Sequence, residues 1–171
     1  AWVERVVIGL KLCPFAPAPA LKGLIRYATS EAETREALLE DLATELQHLV
    51  ASPPEEVETT LLVHPQVLQD FHDFNVFLEI ADEALRMCGL EGEIQIASFH
   101  PQYQFAGTDP DDIGNATNRS PYPMLHLLRE QSIARAVDAF GDTRSISAAN
   151  LETLEKLGPA GLAVLRRADQ A

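Results

Sequence analysis

The chain reads as a small α/β domain with a mainly parallel sheet of about three strands and five or so helices, and three observations predict it. Short apolar, β-rich runs at 24–29, 59–64 and 94–99 alternate with longer stretches whose apolar residues recur at steps of three and four. Pro, Gly or a helix-capping residue bounds most of these runs. The order is helix, strand, helix, strand, helix, strand, helix, helix, the alternation produced by parallel strands joined through right-handed crossovers. Because the strands are short and alternate only in part, a two-layer α+β sandwich covered on one face is the alternative.

Taken in order, Trp2, Val3, Val6, Val7 and Leu10 have helical spacing despite the β-branched run, so 2–12 is expected to be a first helix. Pro14, Pro17 and Pro19 follow and predict an extended strap. After the strand at 24–29, Ser30 with Glu33 reads as a capping box, and Leu38, Leu39, Leu42, Leu46, Leu49 and Val50 give the second helix its apolar face until Pro53-Pro54 ends it. The strand at 59–64 closes on Pro65. The third helix, 67–87, carries a stripe from Val67 through Phe71, Phe74, Leu78, Ala81 and Leu85 to Cys88, with Gly89 as its stop. Beyond the strand at 94–99 and a long loop, Ser120 and Pro121 read as the N-cap and first position of a helix reaching Phe140 and Gly141. Asn150 is expected to cap a short helix ending at Gly158, and Pro159 to start another through Arg167.

At 171 residues the chain fits one globular domain, 1–171, able to bury roughly two thirds of its unfolded surface. Thirteen Lys and Arg against 26 Asp and Glu leave a formal charge of −13, which repels phosphate backbones and anionic lipid, so neither nucleic acid nor a membrane is an expected partner. Nine of the acids fall in 31–58 against one Arg, which reads as a solvated helix face. No run is apolar enough to span a bilayer, and Glu4, Arg5 and Lys11 interrupt 2–12, unlike a signal-peptide core. A cytoplasmic protein is the expectation. Two cysteines, Cys13 and Cys88, fit a reducing compartment and match no metal spacing; Cys88, on the helical stripe, reads as a buried apolar thiol.

Chemistry concentrates in FHPQYQFAGTDPDDIGNATNRSPYPMLHLLRE, 99–130. Two strands end in His-Pro, at His64-Pro65 and His100-Pro101, and parallel strands would put both imidazoles on the carboxyl edge, where open α/β sheets bind ligands. His100 offers a general base, with Tyr103 and Asp111 to orient it. TDPDDIGN is equally the composition of a turn-built loop. Asn115, Asn118, Arg119 and Ser120 precede the expected helix, where free amides and a planar guanidinium favour an anion. On that helix Tyr122, His126 and Glu130 share a face, so His126 either joins the site or forms an exposed pair with Glu130. Cys13, at a helix C-terminus, is a less favoured nucleophile, because the dipole there opposes a thiolate.

Two segments together, GLKLCPFA at 9–16 and SFHPQYQFAGTDPDDIGNATNRSPYPMLHLLRE at 98–130, resemble a bacterial family known as domain of unknown function 1415, over nearly the whole chain. The resemblance brings no known reaction, cofactor or partner. It does imply that the two segments belong together, and so that Cys13, Pro14, Phe15, His100, Tyr103, Asn115, Asn118, Arg119, Ser120 and His126 are the positions of a shared site.

The leading expectation is an enzyme, a hydrolase or group transferase, acting on a small anionic substrate. Arg119, Ser120, Asn115, Asn118, His64 and Cys13 would bind it, and His100, Tyr103, Asp111 and His126 would do the chemistry. No GxGxxG or Walker loop is present, so no cofactor is assigned. A non-catalytic module binding a metabolite or a protein is the second expectation. A metal-dependent hydrolase is the third, requiring at least three of His64, His100, His126, Asp109 and Asp111 to converge; no metal ligand is assigned.

Overall fold

The computed structural model describes residues 1–168 of the chain. Its centre is a mixed sheet of four strands, β1 (Ile25–Thr29), β2 (Thr59–Val63), β3 (Ile94–Phe99) and β4 (Met124–Arg129), in spatial order β1-β2-β4-β3. Only β1 and β2 pair in parallel; β4 runs antiparallel to both β2 and β3. The expected sheet of three mainly parallel strands is therefore corrected by one strand, taken from the segment that the Ser120-Pro121 signal had assigned to a helix. The helix begins only at Glu130: α4 is Glu130–Phe140, and Gly141 ends it. Met124, Leu125, Leu127 and Leu128 satisfy both a helical stripe and a doubly buried strand, and the two open ladders of β2 and β3 decide between them.

The flanking helices are α1 (Pro17–Leu21), α2 (Arg35–Ala51), α3 (Phe71–Met87) and α5 (Arg144–Ala168). Thr34 caps α2, its hydroxyl accepting from the Ala37 amide, and Asp70 caps α3 through the Asp73 amide. Ser30 instead donates to Asp41 and accepts from the Ala32 amide, so the Ser30-Glu33 box is not the cap. α3 ends at Met87, leaving Cys88 exposed rather than buried. α5 is broken at Gly158, whose φ of 67° lies outside the helical range, ahead of Pro159. Asn150 lies inside it and donates to the Leu12 carbonyl instead of capping.

Both faces of the sheet are covered, so the one-sided sandwich does not apply. On one face Leu62, Leu125, Leu127 and Ile94 meet Leu38, Leu42, Leu46 and Leu49 of α2 and Phe74, Phe77 and Ala81 of α3. On the other, Leu61 and Met124 meet Trp2, Val3 and Val6 of the N-terminal segment and Leu154 and Leu162 of α5. Val3–Ile8 winds as a π-helix, with Gly9 donating to Glu4 and Leu12 to Val7. A Cβ at Gly9 would lie 2.2 Å from the Arg5 carbonyl, so this wider turn closes only on glycine. The proline-rich strap folds back into α1 instead of running extended, because Pro17 stands at its first position where no amide is needed. Among the described residues no helix is long and apolar enough to cross a membrane.

Two arginines tie sheet to helix. Arg26 of β1 forks onto Glu45 of α2 at 2.7 and 3.0 Å. Arg129, at the end of β4, donates to the carbonyls of Leu49, Ser52 and Val57, capping the open C-terminus of α2. Arg129→Met keeps the packing stem and removes those donors. We expect a loss of about 2–4 kcal/mol in urea unfolding with an unchanged slope.

Candidate functional site

β2 and β3 point the same way, each antiparallel to β4, so His64 and His100 do lie at the same sheet edge. Neither faces solvent. Both are fully buried, packed on Phe74, with Phe71 and Tyr103 completing the cluster around His100. A carbonyl can only accept, so the His64 contact with Val67 O at 3.1 Å makes Nδ1 its protonated nitrogen. His100 donates from Nε2 to Leu68 O at 3.1 Å and accepts the Gln102 amide at Nδ1. Both are neutral rings holding the turn into α3. Burial pushes His64 down to about 4, opposed in part by Val67 and assisted by His100, and burial lowers His100 as well.

The loop spends its polar groups on itself. Buried Asn115 accepts the Phe105 amide and the Thr108 hydroxyl and donates to Asp109 O. Arg119 donates to the carbonyls of Tyr103 at 2.9 Å and Pro110 at 2.6 Å. It precedes a strand, so the helix amides expected to help it hold an anion are not there. Asn118 donates to Ser98 O and Ser120 to Tyr122 O. Asp109, Asp111 and Asp112 are exposed, and Asp112 opens a short 3₁₀ turn by accepting the Gly114 amide. Among the described residues no three His, Cys, Asp or Glu side chains are placed to hold a metal, so His64, His100, His126, Asp109 and Asp111 do not converge as a metal site requires.

A different enclosure gathers the remaining predicted residues. Over the face that carries Thr59 and Leu61 of β2, Leu128 and His126 of β4 and Ala97 and Phe99 of β3 lies a cavity of about 520 Å³. The N-terminal helix roofs it with Trp2, Val3 and Val7, and the strap closes one side with Cys13, Phe15 and Ala16. Ile133 and Ala136 of α4 close another, and Phe15 meets Phe140 edge to face at 5.7 Å. Size and apolar lining are those of small-molecule pockets. Cys13 and His126 thus share one cavity, whereas His100 and Arg119 are not part of it.

His126 is the cavity's polar floor. Cross-strand pairing places it between Leu61 and Ala97, and the small alanine leaves room beside the ring. The Thr59 hydroxyl donates to Leu127 O at 2.6 Å, so the 2.8 Å contact with His126 must be Nε2–H donating to Thr59 Oγ1. Its Nδ1 has no protein partner among the described residues. Burial pushes the ring down to about 4, so it is neutral at physiological pH. Trp2, Thr59 and Ala97 went unnamed as site residues; the period-two pattern of 94–99 carries the only sequence signal, placing Ala97 on one face with Phe99. A second hollow of about 450 Å³ lies between the end of β1 and α2, but Arg26 engages its Glu45 and Ser30 its Asp41.

Two outcomes are expected. Asn115→Ala removes three bonds and should cost about 2 kcal/mol or more, with amide exchange at Phe105 accelerated before that of the sheet. For pH the folded value of His64 lies below its ordinary 6.5, so the unfolded chain binds more protons between 6.5 and about 4. Stability is complete above that window and falls as pH drops through it, by up to about 1.4 kcal/mol per pH unit. His64→Asn keeps a donor for Val67 O and should flatten the slope of urea midpoints between about pH 5 and 6.5; an unchanged slope removes His64 as its source.

No curated protein and no solved structure matches the chain. Residues 1–164 match the family described as protein of unknown function (DUF1415), spanning the π-helix, the strap, the loop and most of α5, and the chain belongs to that family.

Proposed function

We propose that the protein binds a small molecule in the cavity above the sheet, with His126 as the polar contact and Trp2, Phe99 and Leu61 among the walls. The observation that carries this reading is an imidazole nitrogen without a protein partner in an apolar hollow of ligand size. An apolar enclosure gains from any molecule that displaces poorly held water, and one unpaired acceptor gives such a molecule an orientation.

Catalysis on a small anion at the 99–130 loop has less support. Arg119 is engaged by two carbonyls, both nitrogens of His100 are committed, and the depressed basicity of His126 makes it a weak proton acceptor. The meeting of Cys13 with His126 in one cavity favours a second reading, a group transferase that uses the thiol. It predicts that a ligand of the cavity protects Cys13 from iodoacetamide and that Cys13→Ala abolishes turnover but not binding.

Trp2, the single tryptophan, stands in the wall 5.2 Å from the Phe99 ring centre, so its emission reports occupancy. Screening uncharged and anionic small molecules by Trp2 emission and by thermal shift should find ligands that move both. Ala97→Leu, which fills the floor beside His126, should weaken them about tenfold while leaving the circular dichroism spectrum unchanged. Ligands indifferent to that substitution would place binding elsewhere.

A further inference from the structure

We infer that the cavity selects molecules presenting an N–H or O–H group to its floor, because Thr59 locks His126 into the tautomer that only accepts there. This rests on the cavity being a binding site. Thr59 has one hydroxyl proton, and the backbone carbonyl of Leu127, 2.6 Å away, takes it. What remains toward His126 is a lone pair, which requires the proton on Nε2. The ring is neutral, so Nδ1 is bare, and it has no partner among the described residues.

The register holds this arrangement in place. Thr59 pairs with Leu128 and Leu61 with His126, so hydroxyl and imidazole are diagonal neighbours on one face of a hydrogen-bonded ladder. Phe99 lies against the ring at 6.0 Å between centres. Glu58, the acid that also lines the cavity, adds only acceptor oxygens; Lys22 and Gln95 are on exposed residues, and the guanidinium of Arg129, which lines it too, is spent on the carbonyls of Leu49, Ser52 and Val57. A carboxylate or ether oxygen at the floor would set lone pair against lone pair. The fitting class is a compact apolar molecule ending in a neutral hydroxyl or N–H, of the phenol or indole kind, and Thr59 is a positioning residue that sets this preference without needing to touch the ligand.

The test pairs 4-ethylphenol with its methyl ether, 4-ethylanisole, by calorimetry, and reads the protonated ring nitrogen of His126 directly by two-bond nitrogen–proton correlation in the ligand-free protein. The wild type and Thr59→Ser should favour the phenol by about tenfold, and Thr59→Val, which frees the tautomer, should bring the ratio near unity. The added methyl is common to all three proteins, so its bulk cancels in the comparison. Nitrogen shifts should put the proton on Nε2. A proton on Nδ1, or equal affinities for the pair in the wild type, overturns the selectivity while leaving the pocket standing. If neither probe nor any screened molecule binds although the proton is on Nε2, the binding reading fails and the selectivity with it.

Discussion

The fold depends on the insertion of β4 between β2 and β3, which pairs β4 on both sides and joins the edge strand β3 to the parallel pair β1-β2. Alternation along Met124–Arg129 then divides its side chains. Leu125, Leu127 and Arg129 go to α2 and α3, and Met124, His126 and Leu128 to the opposite face. A slip by one residue would drive the imidazole into a leucine core and bring leucines to the cavity floor, so the placement of His126 and the packing of the principal core are one decision. Arg129 closes it by reaching the last carbonyls of α2, which a shifted register would not allow.

Three histidines in or just beyond the strands meet two different ends. His64 and His100 are sealed against Phe74, and their protonated nitrogens hold the carbonyls of Val67 and Leu68. Leu68 is held at a φ of 59°, a left-handed conformation that costs a branched residue roughly 1–2 kcal/mol. The His100 bond and the aromatic cluster offset that cost and aim the chain into the Asp70 cap. His64 Nε2 is left buried without a partner among the described residues, whereas His126 borders a cavity, its neighbour across β3 being Ala97 rather than a large residue. Position in the fold, not residue type, decides which imidazole borders the cavity.

Much of this was legible in the residues. The strands at 25–29, 59–63 and 94–99 and the bodies of α2 and α3 follow from alternation, stripes and stops. β4 was not, because a leucine-rich run behind Ser and Pro carries every local mark of a helix start; only the vacancy between two distant strands makes it a strand. The same error set Arg119 at a helix entrance. Asn115, Asn118 and Arg119 were singled out as binding groups, yet their partners are carbonyls, amides and a hydroxyl of the loop and its flanks, pairings that composition does not reveal. The cavity depends on Trp2, Thr59 and Ala97, which are remote in sequence and ordinary in type. Cys13 and His126 were both named, and the resemblance, rather than spacing, tied their segments together.

The cavity's walls come from residues 2–25, 58–61, 95–99 and 126–136, so no local piece of chain contains it. It exists only once the N-terminal helix has docked across the far strands, a closure spanning more than 120 positions. A molecule held there is therefore linked to completion of the tertiary structure as a whole. Bound at a hundred times its dissociation constant it would add about 2.7 kcal/mol to global stability, and the roof at Trp2–Ile8 would be the last segment to leave and the first to fray without it.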